Sequence, residues 1–132
     1  MRRESLDTNI LLRLMLVDIP SQSEAARKLV ETGAVRYFVS DTAINEFVYV
    51  LGRHYKFSRD QIAEMVKGLL SIGTIDCNSE LALETLQHFV KHRTLSYEDC
   101  YFAASAEYMN ASPLWTFDKD LAAKVSSAKL LT

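Results

Sequence analysis

Residues 95–121 read LSYEDCYFAASAEYMNASPLWTFDKDL, and the fold class is decided by how this stretch divides. Ser96-x-x-Asp99 has the spacing of a capping box, in which a hydroxyl and an acid three residues later satisfy the open N–H groups of a first helical turn. The segment it opens is rich in small residues, Ala103, Ala104 and Ala106 among them. Leu114-Trp115-Thr116-Phe117 is then strand material. Asp118 and Asp120 follow at once, at the head of a helix that begins near Leu121. Helix, short strand, helix is the repeating grammar of an α/β protein.

The same grammar extends N-terminally. Ser58-x-x-Gln61 opens one apolar-periodic stretch, and Pro20 with Ser21-x-x-Glu24 opens another. Ser79 is a candidate cap for the stripe Leu81, Leu83, Leu86 and Phe89. Strand-like runs lie at 37–40 and 74–77, with a further edge candidate at 129–131. A first strand has only Arg2 to Leu6 to draw on, and Arg-Arg-Glu-Ser is poor material for burial on both faces. The expectation is an α/β fold on a short, mostly parallel sheet.

With 132 residues, four glycines, two prolines and no visible linker or repeat, the chain is expected to form a single domain over residues 1–132. A hydrophobic content of 48% with 24% charged residues excludes disorder. Fifteen basic against 17 acidic residues give a net charge of −2, which excludes a strongly basic nucleic-acid module. Any contact with nucleic acid must rest on local charges or a bound cation. The longest apolar run, 10–17, is broken by Arg13 and falls short of the ~20 residues of a membrane span. Glu4 and Asp7 follow Arg2 and Arg3 too soon for a signal peptide. Cys77 and Cys100 make no disulfide framework and have no zinc-type spacing. These features predict a soluble, cytoplasmic protein with no membrane association.

In right-handed β-α-β units, the carboxyl ends of the strands and the starts of the following helices share one edge of the sheet. Asp7 ends the first expected strand and Asp41 the second, with Glu46 about a turn into the next helix. Asp99 opens the helix that feeds the Leu114–Phe117 strand, and Asp118 and Asp120 follow that strand. Clustered carboxylates repel by several kcal/mol at close range, roughly 4 kcal/mol at 4 Å, and so either protonate or recruit a cation. Oxygen donors select Mg²⁺ or Mn²⁺ over zinc. Each acid also has a plainer role. Asp99 serves equally as a capping partner of Ser96, Asp118 as a helix N-cap, Asp120 as a first-turn acid, and Asp41 and Thr42 as caps. Ile44, Phe47, Val48 and Leu51 form a core stripe that leaves Glu46 in solvent.

Four segments, LDTNILLRLML, VSDTAINEFVYVL, LSYEDCYFAASAEY and LWTFDKDL, resemble in order and spacing the motif regions of PIN-domain ribonucleases. The likeness is nearest to the small VapC-type toxins of prokaryotic toxin–antitoxin pairs and runs from Leu6 to about Val125. It implies a PIN-like, three-layer α/β/α fold and Mg²⁺ or Mn²⁺ at an acidic cluster. Residue by residue, Asp7 matches the first metal-ligating acid, and Asn9 the polar residue two positions on. Glu46 matches the acid of the helix after the second strand, Asp99 the acid opening the small-residue helix, and Asp118 the acid of a Thr-x-Asp turn with Thr116 as companion. Asp120 is an accessory ligand on this reading. The polar residues before Leu6 depart from the family's usually apolar first strand.

The resemblance implies metal-assisted hydrolysis of RNA phosphodiesters, with Asp7, Asp99 and Asp118 holding the ion and Glu46 holding a second ion or orienting water. It further implies an RNA substrate, a cognate small antitoxin protein and a homodimer. Neither cysteine has a partner histidine at catalytic spacing, and no nucleophile elbow is present. Asn9 stands where a dehalogenase-like phosphatase needs a second acid, and a receiver domain would need acids next to Asp7. The basic runs around His54 and His92 suit either an RNA backbone or a solvated helix face. The remaining alternative is a non-catalytic PIN-like module that binds RNA or protein.

Overall fold

A computed structural model describes residues 2–132. Among them are seven helices and five short strands, and every strand pair is parallel. This is the α/β class expected. The chain divides into two compact units, Met1–Asn78 and Ser79–Thr132.

The first unit runs β1 (Arg3–Ser5), α1 (Thr8–Met15), α2 (Pro20–Glu31), β2 (Arg36–Phe38), α3 (Asp41–Arg53), α4 (Arg59–Leu70) and β3 (Ile75–Asp76). Its sheet has the order β1-β2-β3, with Arg3 opposite Arg36, Ser5 opposite Phe38, and Phe38 opposite Asp76. Side chains alternate between faces, so this register sorts the residues cleanly. Leu6, Tyr37, Val39 and Ile75 are buried on one face. Arg3, Ser5, Arg36, Phe38 and Asp76 occupy the other, where Arg36 and Arg3 pair with Asp76 at 2.9 and 3.4 Å. The polar first strand is thereby explained: β1 needs to bury one face only.

Helix starts follow backbone chemistry more closely than sequence spacing suggests. At α4 the full capping box forms between Ser58 and Gln61. At α2, Ser21 is not the cap. Pro20 occupies the first helical turn after Ile19, with no side-chain cap, because proline has no N–H to satisfy and its φ already suits a helix. At α3 the cap is Ser40, whose extended backbone aims Oγ at the Ala43 N–H, 3.1 Å away, rather than Asp41 or Thr42. The expected stripe of α3 is the core of the unit: Ile44, Phe47, Val48 and Leu51 are all buried. Buried Ser23 donates to the Leu16 carbonyl at 2.6 Å and so satisfies the end of α1 from α2.

The second unit runs α5 (Ser79–Lys91), α6 (Tyr97–Tyr108), β4 (Leu114–Thr116), α7 (Lys119–Lys124) and β5 (Ala128–Leu130). Ser79 is the first helical residue of α5, one place inside the position expected. α5 packs on α6, in which Ala103 and Ala104 are buried, and Phe89 meets Tyr97 edge-on at 5.4 Å. β4 and β5 pair with Trp115 opposite Lys129. No helix of the described residues is long and apolar enough to cross a membrane.

Candidate active site

In the first unit, Asp7 leaves β1 and caps α1, accepting the Ile10 N–H on Oδ1 at 3.1 Å. Asn9 lies exposed on the same first turn. Between them, buried Thr8 donates to the Ala43 carbonyl at 3.4 Å, which fastens the start of α1 to the start of α3. Glu46 stands one turn beyond Ala43 and is exposed, as the stripe requires. Asp7 and Glu46 therefore share one end of the packed α1–α3 pair, on the side where β1 and β2 deliver their carboxyl ends.

The remaining groups at this edge are already committed. A hydrogen bond from Arg36, then the charges of Arg36 and Arg3, hold the Asp76 carboxyl below the usual carboxylate range. Burial, then the charges of Asp41 and Asp76, push the Cys77 thiol up, so it stays protonated and is a poor nucleophile. With Arg3 and Phe38 these two line a depression of about 390 Å³.

In the second unit, Ser96 caps α6 by accepting the Asp99 N–H at 3.1 Å. The Asp99 side chain does not return the bond, so the reciprocal half of the expected capping box is missing. Asp118 caps α7, with Oδ1 accepting the N–H groups of Asp120 and Leu121 at 2.9 and 3.1 Å. Its own N–H donates to Thr116 Oγ1 at 2.9 Å and closes the Thr-x-Asp turn. Asp120 is engaged on both oxygens, by Thr94 at 2.6 Å and Lys124 at 2.9 Å. Those two partners, Thr94 first, hold its carboxyl below the usual range. The sequence reading missed Thr94 and Lys124; the i,i+4 spacing of Asp120 and Lys124 was the available signal for one of them.

A contrast emerges among the acids. Asp18, Asp76, Glu107 and Asp120 each pair with a basic side chain. Among the described residues Asp7, Glu46, Asp99 and Asp118 have no salt bridge, a property they share with Glu31, Glu80, Glu84 and Glu98; Asp7 and Asp118 accept backbone N–H groups on one oxygen only. Uncompensated carboxylate oxygens are the donor set of a hard divalent ion, and in that chemical sense the residues fit Mg²⁺ or Mn²⁺. In neither unit do three or more His, Cys, Asp or Glu of the described residues form a group that could hold a metal by itself. Of the basic runs, Arg53, His54 and Lys56 are exposed beyond α3. In the other run, His92 stacks on His88, and burial, then His88 and Lys91, lower its pKa.

A family model described as PIN domain matches residues 5–126. No curated protein matches the chain. The helix–strand order and the match agree on a PIN-like α/β/α class, a nuclease-type fold whose members typically use divalent metal ions.

Proposed function

The chain belongs to the PIN-domain family, and from that premise we propose that it is a metal-dependent endoribonuclease, the toxin of a VapC-type toxin–antitoxin pair. The observation that carries the proposal is the match of residues 5–126 to the PIN-domain family; its candidate site is the four carboxylates Asp7, Glu46, Asp99 and Asp118, none of which is held by a cationic side chain among the described residues. On this reading Asp7, Asp99 and Asp118 are the ligands of Mg²⁺ or Mn²⁺, and Glu46 orients the attacking water or serves a second ion. The metal supplies acidification of water and stabilisation of the leaving oxygen. Thr116 and Asn9 are supporting residues; Thr116 holds the turn that presents Asp118. Asp120 acts as an accessory ligand only by exchanging Lys124 for the ion. The match across residues 5–126 includes parts of both units, which supports one PIN-like domain over residues 1–132. An antitoxin able to insert an Arg or Lys among the unpaired acids, a homodimer and a cytoplasmic location complete the proposal.

Purified protein is expected to cut structured RNA with Mg²⁺ or Mn²⁺ and to stop on chelation. Asp7→Asn should abolish cleavage, since asparagine keeps the cap and removes the charge. Equal cleavage by that variant would sink the assignment. RNA binding without cleavage by the unaltered protein would favour a non-catalytic module.

A further inference from the structure

The second unit carries an exposed aromatic face that its own packing does not use. Trp115 in β4 and Phe117 in the bend directly after it are 54% and 77% exposed. On β5, Lys129 stands opposite Trp115 with Nζ 5.5 Å from the ring centroid, and Leu131 follows on the same side. Lys129 has no acidic partner among the described residues; its cation rests on an aromatic ring instead. Lys119, also exposed, begins the adjoining α7. A fixed turn links the face to the candidate chemistry, since Phe117 immediately precedes Asp118, whose N–H is held by Thr116 and whose carboxylate caps α7.

We infer that Trp115, Phe117 and Lys129 form a stacking platform for single-stranded RNA beside Asp118, an inference that rests on the nuclease reading above. Two exposed aromatic rings, two residues apart in the chain, suit unpaired bases of any identity, and lysines suit the phosphates between them. The combination also fits the overall charge of −2. A chain with no net positive charge gains its grip on RNA from stacking and local cations rather than from a broad positive field. Paired bases hide their faces, so a duplex has nothing to offer this surface. An aliphatic protein partner, by contrast, would gain nothing from a cation seated over the indole.

Trp115 is the sole tryptophan and therefore reports on the platform directly. The full chain is titrated with a single-stranded oligouridylate and with an RNA duplex of equal length, in chelator so that nothing is cut. The single strand should quench Trp115 fluorescence and the duplex should not. Phe117→Leu, which keeps an apolar side chain but removes the ring, should weaken binding by about 5- to 150-fold. Phe117→Tyr should retain it. Lys129→Gln should lower the salt dependence by about 0.7 in log–log slope, as expected for one lost phosphate contact. Circular dichroism confirms that each variant is folded. Equal binding by Phe117→Leu, quenching by the duplex alone, or no quenching at all overturns the inference. So does a change of oligomeric state in Phe117→Leu with RNA affinity unchanged, which would make the face an interface between copies. Stacking with no metal-dependent cleavage would leave the platform standing and remove the nuclease reading; cleavage without stacking would do the reverse.

Discussion

Asp118 and Asp99 show how a single substitution separates a structural role from a chemical one. Asp118 caps α7 through one oxygen. Asparagine is an equally good cap, so Asp118→Asn should change metal-free stability by well under the ~1 kcal/mol typical of losing a cap. Its stabilisation by millimolar Mn²⁺ should nevertheless fall, because a lost ligand weakens the link between binding and folding. Thermal melts with chelator and with Mn²⁺ measure both effects. At Asp99 the outcomes differ in sign. A carboxylate that only favours the α6 dipole would make metal-free Asp99→Asn less stable by up to ~1 kcal/mol. One that belongs to a repelling set of acids would make the variant more stable without metal and less responsive to it. The second result is expected on the proposed reading, in which Asp99 shares an ion with Asp7 and Asp118. Glu46 marks the limit of reading residues one by one. Periodicity placed it in solvent, where it lies, and gave no hint of chemistry there.

At the level of elements, all five expected strands form, each within a residue or two of its sequence bounds, because their alternation is interrupted by capped helices. The misplaced features are caps at Ser21 and Asp41, where competing polar residues stand side by side and local backbone geometry chooses between them. The first strand was hardest to judge, since no pattern in Arg-Arg-Glu-Ser reveals that Asp76 lies across the sheet. That pairing has a measurable consequence. Asp76 has its pKa lowered by Arg36 and Arg3, so the unfolded chain binds the proton more readily. The stability it contributes is complete above the ordinary carboxylate pKa and is lost as pH falls through the depressed folded value. Melting temperatures of the unaltered protein should therefore drop more steeply below about pH 4 than those of Asp76→Asn. Parallel pH profiles would show that the arginines do not hold this acid in solution.

For the whole molecule, a single PIN-like domain predicts one cooperative transition. Phe47 is fully buried in the first unit, and Trp115 lies in the second. Phe47→Ala should cost about 3–5 kcal/mol. If the chain unfolds as one body, the loss should appear equally in helical circular dichroism and in Trp115 fluorescence during urea unfolding. A fluorescence transition that stays in place while the helical signal moves would show two separate folding units. The candidate site is legible in the sequence as acids that parallel topology assigns to one sheet edge, and as four short segments in a fixed order. The acids carry no spacing signature of their own, because parallel topology assigns them to edges through strands and helices of varying length. Thr94 and the outward ring of Phe117 escaped notice because their roles depend on a partner or a face that no local pattern encodes.

The two capping acids have a consequence for how a cation would be met. Asp7 and Asp118 each give Oδ1 to backbone N–H groups and leave Oδ2 without a partner among the described residues. A side chain that must be immobilised on binding loses about 0.5–1.5 kcal/mol of rotamer freedom. Here that freedom is surrendered when the helices form, so both oxygens are pre-oriented before any ion arrives. If these acids hold the ion proposed, its affinity would be a readout of helix integrity. Fraying of α7, only six residues long, would return Asp118 to free rotation and loosen the ion without altering a single ligand.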